Sequence, residues 1–356
     1  MKYHLNPDEK EALYLQLYHA IKSDIASGAL KFGDKLPSKR FIAEELSVSV
    51  ITVEHAYTLL MDEGFIESRP KSGFYVSYAP AIKPGSKKPP AILEPIQEPP
   101  DDFPYNTFER IMRNVITQHG RRILARSENN GIYELREAIS DYLKRSRGIG
   151  ASPDDIIIGS GAESLYPLVG NLIGRNAKIG VEDPGFEKIR KIYESYGFTV
   201  EPLPMGEDGI ESEALKNTHL SAIHVTPYRS YPTGITATEA KRHEYVNWAV
   251  RTNGYIIEDD YASELAAKDG NIDTVYSINP NRVIYINTFT KTIAPSMRTG
   301  YLILPPKLLA RYKEEFSHLS CSVPVYEQLV IAEFIRGGYF ERCINKRRRN
   351  QRKADQ

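Results

Sequence analysis

In the segment VIYINTFTKTIAPSMRTGYLILP, residues 283–305, one lysine, Lys291, stands among Thr288, Thr290 and Thr292, and Arg298 follows seven residues later. The flanks read as apolar strands, which puts the lysine at the end of one of them. Burial disfavours the charged form of a lysine, and the free amine it leaves is a nucleophile for carbonyls. A second strand end, YIIEDDYASEL, projects Asp259 and Tyr261 toward the same rim. Carboxylate, phenol and lysine together are what a pyridoxal phosphate ring needs. The carboxylate keeps the pyridine nitrogen protonated, the phenol meets the ring oxygen, and the lysine holds the aldehyde. Arg298 then faces the phosphate, with the Thr288 hydroxyl beside it. The turn GSGAES, containing Gly161 and Ala162, offers amides at a helix N-terminus to the same dianion. Singly, each feature is ordinary: a lysine after a strand is usually solvated, EDDY is usually a turn, and GSG is a weak motif. Their coincidence at three strand ends carries the reading.

The elements that must position these groups are short apolar strands alternating with helical patterns: DIIIG, KIGVED, TVEPLP, AIHVTP, YIIEDD, VIYINTF and YLILP. Such alternation predicts a mostly parallel α/β sheet covered on both faces, with ligands at the carboxyl ends of its strands. Residues 1–78 read differently. Tyr14, Leu17, Tyr18, Ile21 and Ile25 recur at helical spacing until Gly28. A helix capped by Ser38 then runs to Leu46, and the turn SVS leads to another helix from about Ile51 to Asp62. GFIESRPKSGFYVS reads as a hairpin, so the first 78 residues form a winged helix-turn-helix. Residues 79–102 contain seven prolines and three lysines and form a semi-rigid linker to a second domain, 103–356.

Length and composition agree with a multidomain globular protein: 356 residues, 41% hydrophobic, net charge zero. No apolar run approaches the roughly twenty residues of a membrane span, and the N-terminus is too polar for a secretion signal, so the chain is expected in the cytoplasm with no membrane partner. Cys321 and Cys343 give neither a disulfide framework nor metal-ligand spacing, and no metal is expected.

EDPGF, TPYRSYPTG, EDDYASEL and NTFTKTIAPSMRTGYLILP follow the order and spacing of fold-type I aminotransferases, and the segment from LPSKRFIAEEL to KSGFYV resembles the GntR winged helix. Joined by a linker, the two resemble the MocR subfamily of GntR transcription regulators. That resemblance implies pyridoxal phosphate held as a Schiff base by Lys291, with Asp259 at the pyridine nitrogen, Tyr261 at the ring oxygen and Arg298 at the phosphate. It also implies Tyr231 at the cofactor's edge, and Phe186 either stacked on the ring or plain core. It further implies a homodimer and a small amino-compound effector. Two departures stand out. Glu163 replaces an uncharged polar residue beside the phosphate turn, which predicts weakened cofactor binding. The sequence ends in GGYFERCINKRRRNQRKADQ, where the family's small C-terminal domain would begin, which predicts a pocket lacking one wall and its carboxylate-binding arginine. Arg229 is either a partial substitute or a solvated side chain, and the seven basic residues from Arg342 to Lys353 read as an exposed helix face.

Residues 1–78 carry nine Lys plus Arg against eleven Asp plus Glu, so affinity for double-stranded DNA must come from a focused patch. Ser38, Lys39 and Arg40 at the second helix, with Arg69 and Lys71 in the wing, supply phosphate contacts. Ser49, Thr52 and His55 face the bases from the third helix. Val50 stands where the family often has arginine, and Lys71 where it often has glycine. The expected function is a pyridoxal-phosphate-dependent regulator; an active aminotransferase or a DNA-binding protein with a degenerate effector domain are the alternatives.

Overall fold

The computed structural model describes residues 3–7, 11–70, 72–78, 103–216, 218–261, 263–265 and 273–354. Lys71 and the linker 79–102 lie outside them. The chain divides into two compact units, Met1–Glu94 and Pro95–Gln356.

In the first unit, α1 (Leu13–Ser27) buries Leu17, Tyr18, Ile21 and Ile25 along one stripe. It stops at Gly28, whose φ of 78° lets its N–H turn back to the Ile25 carbonyl. A two-residue strand, β1 (Lys35–Leu36), precedes α2 (Lys39–Glu45) and α3 (Val50–Asp62). Ser38 and Ser49 cap these helices by accepting from the Phe41 and Thr52 amides. β2 (Ile66–Arg69) and β3 (Gly73–Val76) pair antiparallel as the wing, and β1 adds to the other edge of β3. Leu17, Ile21, Val53, Tyr57 and Leu60 fill the core between the helices.

The second unit begins with α4 (Tyr105–His119) and α5 (Tyr133–Arg147). It continues through β4 (Ile156–Gly159), α6 (Ala162–Ile173), β5 (Lys178–Asp183), α7 (Glu187–Ser195), β6 (Thr199–Gly206), β7 (Gly209–Ile210), α8 (Ser212–Lys216), β8 (Ala222–Val225), α9 (Glu239–Thr252) and β9 (Tyr255–Asp259). Then come α10 (Val275–Ile278), β10 (Val283–Thr288), β11 (Gly300–Ile303), α11 (Pro306–Arg311), α12 (Val325–Arg336) and α13 (Tyr339–Ala354). The eight strands lie in the order β4-β11-β10-β9-β8-β5-β6-β7. β10, β9, β8, β5 and β6 are parallel; β11 runs against both neighbours, and β7 against β6.

The strands are apolar on both faces because both are covered. Ile256, Val283 and Tyr285 pack with α5, α9 and α12, whereas Ile257, Ile284 and Ile286 pack with α6, α7 and α11. The two-residue period of a strand then decides the direction of the polar residues that follow. Asp259 has the parity of Ile257 and emerges on the α6 face. Glu258 has the parity of Ile256 and belongs to the opposite side. Among the described residues no helix is long and apolar enough to cross a membrane.

Candidate functional site

At the carboxyl ends of β8, β9 and β10, beside the N-terminus of α6, a cavity of about 340 Å³ opens. Ala162, Phe186, Tyr231, Asp259, Tyr261, Thr288, Lys291 and Arg298 all line it. Gly161, the remaining predicted residue, is the N-cap of α6 with φ 77°. A Cβ there would stand 3.3 Å from Arg298 Nη2, so the bare backbone is what lets the guanidinium approach the first turn. Of the amides of that turn, Ser164 N–H donates back to the Gly161 carbonyl at 3.3 Å, while the first amides of a helix have no acceptor one full turn back.

Asp259 is buried, and its Oδ2 accepts a 2.5 Å hydrogen bond from the Tyr166 hydroxyl. His224 Nε2 lies 3.7 Å from the same oxygen, and His224 Nδ1 meets the Tyr193 hydroxyl at 3.0 Å. Asp259 Oδ1 is buried with no hydrogen-bond partner among the described residues. Burial, and then the Asp259 charge, push the Tyr166 phenol well above its ordinary range, so it stays a donor. Sequence reasoning passed over Tyr166. It sits one helical turn beyond Ala162 on the sheet-facing side of α6, a position with no mark but its hydroxyl.

Lys291 corrects one expectation. The turn after β10 leaves it exposed rather than deeply buried. Its Nζ still stands 4.0 Å from the centroid of the Tyr261 ring. Desolvation lowers the ammonium's pKa, and the Asp259 charge opposes that shift. The Tyr261 hydroxyl, expected at a ring oxygen, donates to the Arg229 carbonyl at 2.9 Å, and Arg229 holds a left-handed φ of 48°. Phe186 is not core: it is 49% exposed and meets Tyr231 edge-on, with centroids 5.8 Å apart. Arg229 itself is solvent-exposed beside the Tyr228 ring.

Glu163 behaves differently from a simple repelling charge. Its Oε1 accepts from Lys188 Nζ at 2.5 Å and from Arg298 Nη2 at 3.1 Å. The Lys188 hydrogen bond is the chief cause that holds its carboxyl below the usual range, although burial works the other way. The basic C-terminal run is not wholly a solvated face either. Arg347 is buried, and its guanidinium donates to the carbonyls of Lys291, Thr292 and Ile293.

In the first unit, Lys39 pairs with Glu54 at 2.6 Å and Arg69 with Glu67 at 2.7 Å, so two of the predicted phosphate contacts are internally neutralised. Arg40 is exposed and makes no ion pair among the described residues. Thr52 shares a 2.8 Å hydrogen bond with Ser49, and the exposed His55 packs edge-on against Tyr14. Phe41, 53% exposed on α2, and Ile51, 64% exposed in the first turn of α3, also present apolar side chains to solvent.

Residues 13–76 match the family described as bacterial regulatory proteins, gntR family, and residues 99–350 match aminotransferase class I and II. The chain is 34% identical to the HTH-type transcriptional regulator YdeL of Bacillus subtilis, over 96% of this chain and 77% of that protein. It is 30% identical to the HTH-type pyridoxine biosynthesis transcriptional regulator PdxR of Corynebacterium glutamicum, over 97% and 78%. It is 28% identical to the "Probable rhizopine catabolism regulatory protein MocR" of Rhizobium meliloti, over 97% and 76%. Among solved structures, the Pyrococcus horikoshii kynurenine aminotransferase matches with a TM-score of 0.63 at 24% identity, over 71% of this chain, a likeness of fold. The chain spans 65% of that enzyme's length. Pyridoxal phosphate is the cofactor of the aminotransferase class I and II domain, and the pocket fits it: Asp259, whose buried Oδ1 has no partner among the described residues, an amine of lowered pKa and the Arg298 cation beside the N-terminus of α6 line one cavity. The chain belongs to the MocR-type GntR transcription regulators, DNA-binding proteins that join a winged helix-turn-helix to an aminotransferase-like domain for pyridoxal phosphate.

Proposed function

We propose that this regulator senses a small amino compound through pyridoxal phosphate attached at Lys291, and that it works as a cytoplasmic homodimer on paired DNA half-sites. The observation that carries the reading is Asp259, which lines the cavity with Lys291 and whose buried Oδ1 has no hydrogen-bond partner among the described residues. A buried carboxylate oxygen left unpaired is costly, and a protonated pyridine nitrogen is the donor that would satisfy it. Tyr166 fixes the other oxygen and so orients the carboxylate.

When bound, the cofactor supplies an aldehyde that condenses with amines and a ring that withdraws electrons. The remaining work belongs to the chain. Desolvation lowers the pKa of the Lys291 amine and so favours its nucleophilic free form relative to a solvated lysine. Tyr261 holds one side of the amine and the Arg229 carbonyl in place. Arg298, Thr288, Gly161 and Ala162 form the phosphate end. Phe186 and Tyr231, in edge-on contact, supply an aromatic rim to the cavity. On the DNA side, Arg40 takes a phosphate, Ser38 and Ser49 set the helix starts, and Thr52 and His55 face base edges. Lys39 and Arg69 join only by exchanging Glu54 and Glu67 for phosphate. Ile51 is placed for a thymine methyl group. One winged helix reads one half-site, hence the dimer.

The test uses the full chain loaded with pyridoxal phosphate and a DNA duplex that it has selected from a random pool. A panel of amino acids and amines is titrated while cofactor absorbance and DNA affinity are followed together. At least one compound should change both. Sustained conversion of amino donor and keto acid, with DNA affinity indifferent to every compound, would contradict the regulatory reading.

A further inference from the structure

The turn after β10 is a single helical turn. The Ile293 amide donates to the Phe289 carbonyl at 2.8 Å, and no regular helix continues from it. Such a turn leaves its last carbonyls without intrahelical donors. Those carbonyls belong to Lys291, Thr292 and Ile293, and all three point at one side chain. Arg347 of α13 donates from Nη1 to Lys291 O at 2.5 Å and Thr292 O at 3.1 Å, and from Nη2 to Ile293 O at 3.1 Å. The next residue, Arg348, donates from Nε to the Glu264 carbonyl at 2.7 Å. Glu264 lies in the short turn that follows Tyr261.

Consecutive helical residues diverge by about 100° around the axis, so adjacent arginines on α13 reach two separate turns. One turn carries Lys291. The other follows directly on Asp259 and Tyr261. Charge-assisted hydrogen bonds from a rigid guanidinium fork are strong and directional, and a lysine ammonium cannot reproduce the fork. We propose that Arg347 is a positioning residue for Lys291: with Arg348 it ties α13 to both turns and sets where the amine stands over the Tyr261 ring. This inference rests on the assignment of Lys291 as the attachment point. It makes α13 part of the cofactor site without lining the cavity. A displacement of the helix would move the amine relative to Asp259.

The experiment measures, on the full chain, the rate at which pyridoxal phosphate becomes fixed to Lys291 by borohydride across a pH series. The proteins are the parent, Arg347→Met, Arg347→Lys and, as a control, Arg349→Met at an exposed position of the same helix. Arg347→Met should slow attachment about tenfold, within the roughly hundredfold that an ångström of misplacement can cost. It should also shift the pH midpoint by about half a unit as the amine's surroundings change. Arg347→Lys should fall between, and Arg349→Met should match the parent. A folded Arg347→Met with a lower melting temperature but the parent's rate and midpoint would show a merely structural clamp and overturn the proposal. Should Arg347→Met not fold, Arg347→Lys decides: the parent's rate and midpoint in that variant overturn it as well. No attachment in the parent would instead strike at the reading of Lys291 itself.

Discussion

Glu163 sits between two cations, Lys188 and Arg298, at the place where a phosphate dianion must enter. Binding the cofactor therefore exchanges one anion for another. Both pairs are about half exposed, and such ion pairs contribute up to about 1 kcal/mol each. Glu163→Gln should accordingly tighten pyridoxal phosphate by up to about fivefold and leave unphosphorylated pyridoxal unchanged. Equal gains for both compounds in a fluorescence titration would show that the carboxylate does not compete with phosphate. At this scale the convergence of Lys291, Asp259, Tyr261 and Arg298 on one cavity was legible, because reactive types at strand ends leave a mark in one dimension. Tyr166 and Arg347 were not. Each acts through a partner far along the chain, at 93 and 56 residues' separation, and nothing in its own neighbourhood records that partner.

Among the elements, the loop after β8 is held by a half-buried carboxyl on β5, Glu182. Glu182 accepts from the Thr226 amide at 3.0 Å and the Ser230 hydroxyl at 2.5 Å. Burial is the chief cause that pushes its pKa up to about 7. The folded chain then binds a proton that the unfolded chain, with an ordinary carboxyl near 4.5, has already lost. Stability from this group is present below the unfolded value and declines as pH rises toward about 7, by at most about 1.36 kcal/mol per pH unit. Glu182→Gln keeps an acceptor for Thr226 and removes the titration, so its melting temperature should fall less than the parent's between pH 5 and 7. Parallel profiles would contradict that assignment. The winged helix offers a second prediction at this scale. Arg40 is free of ion pairs among the described residues, whereas Lys39 and Arg69 are not. Arg40→Ala should lower the salt slope of DNA binding by about one unit, and Lys39→Ala by less. Equal slopes for Arg40→Ala and the parent would remove Arg40 from the phosphate contacts. The helices of this unit could be read from capping serines and apolar spacing, but β1 could not, since two residues have no period.

For the whole molecule, the alternation of strand and helix predicted the sheet, and the strand parity in that sheet explains why Asp259 faces α6 while Glu258 does not. The antiparallel insertion of β11 between β4 and β10 was not legible, because a strand buried on both faces reads alike in either direction. The central claim is that one chain joins a DNA-reading domain to a cofactor held by Lys291. The most direct measurement incubates the parent and Lys291→Ala with pyridoxal phosphate, reduces with borohydride, maps the modified peptide by mass spectrometry, and measures binding of both proteins to the selected duplex without effector. The account predicts one pyridoxyl group on Lys291 in the parent, none in Lys291→Ala, and similar DNA affinity for the two. Modification at another lysine, or persistence of the label in Lys291→Ala, would contradict it.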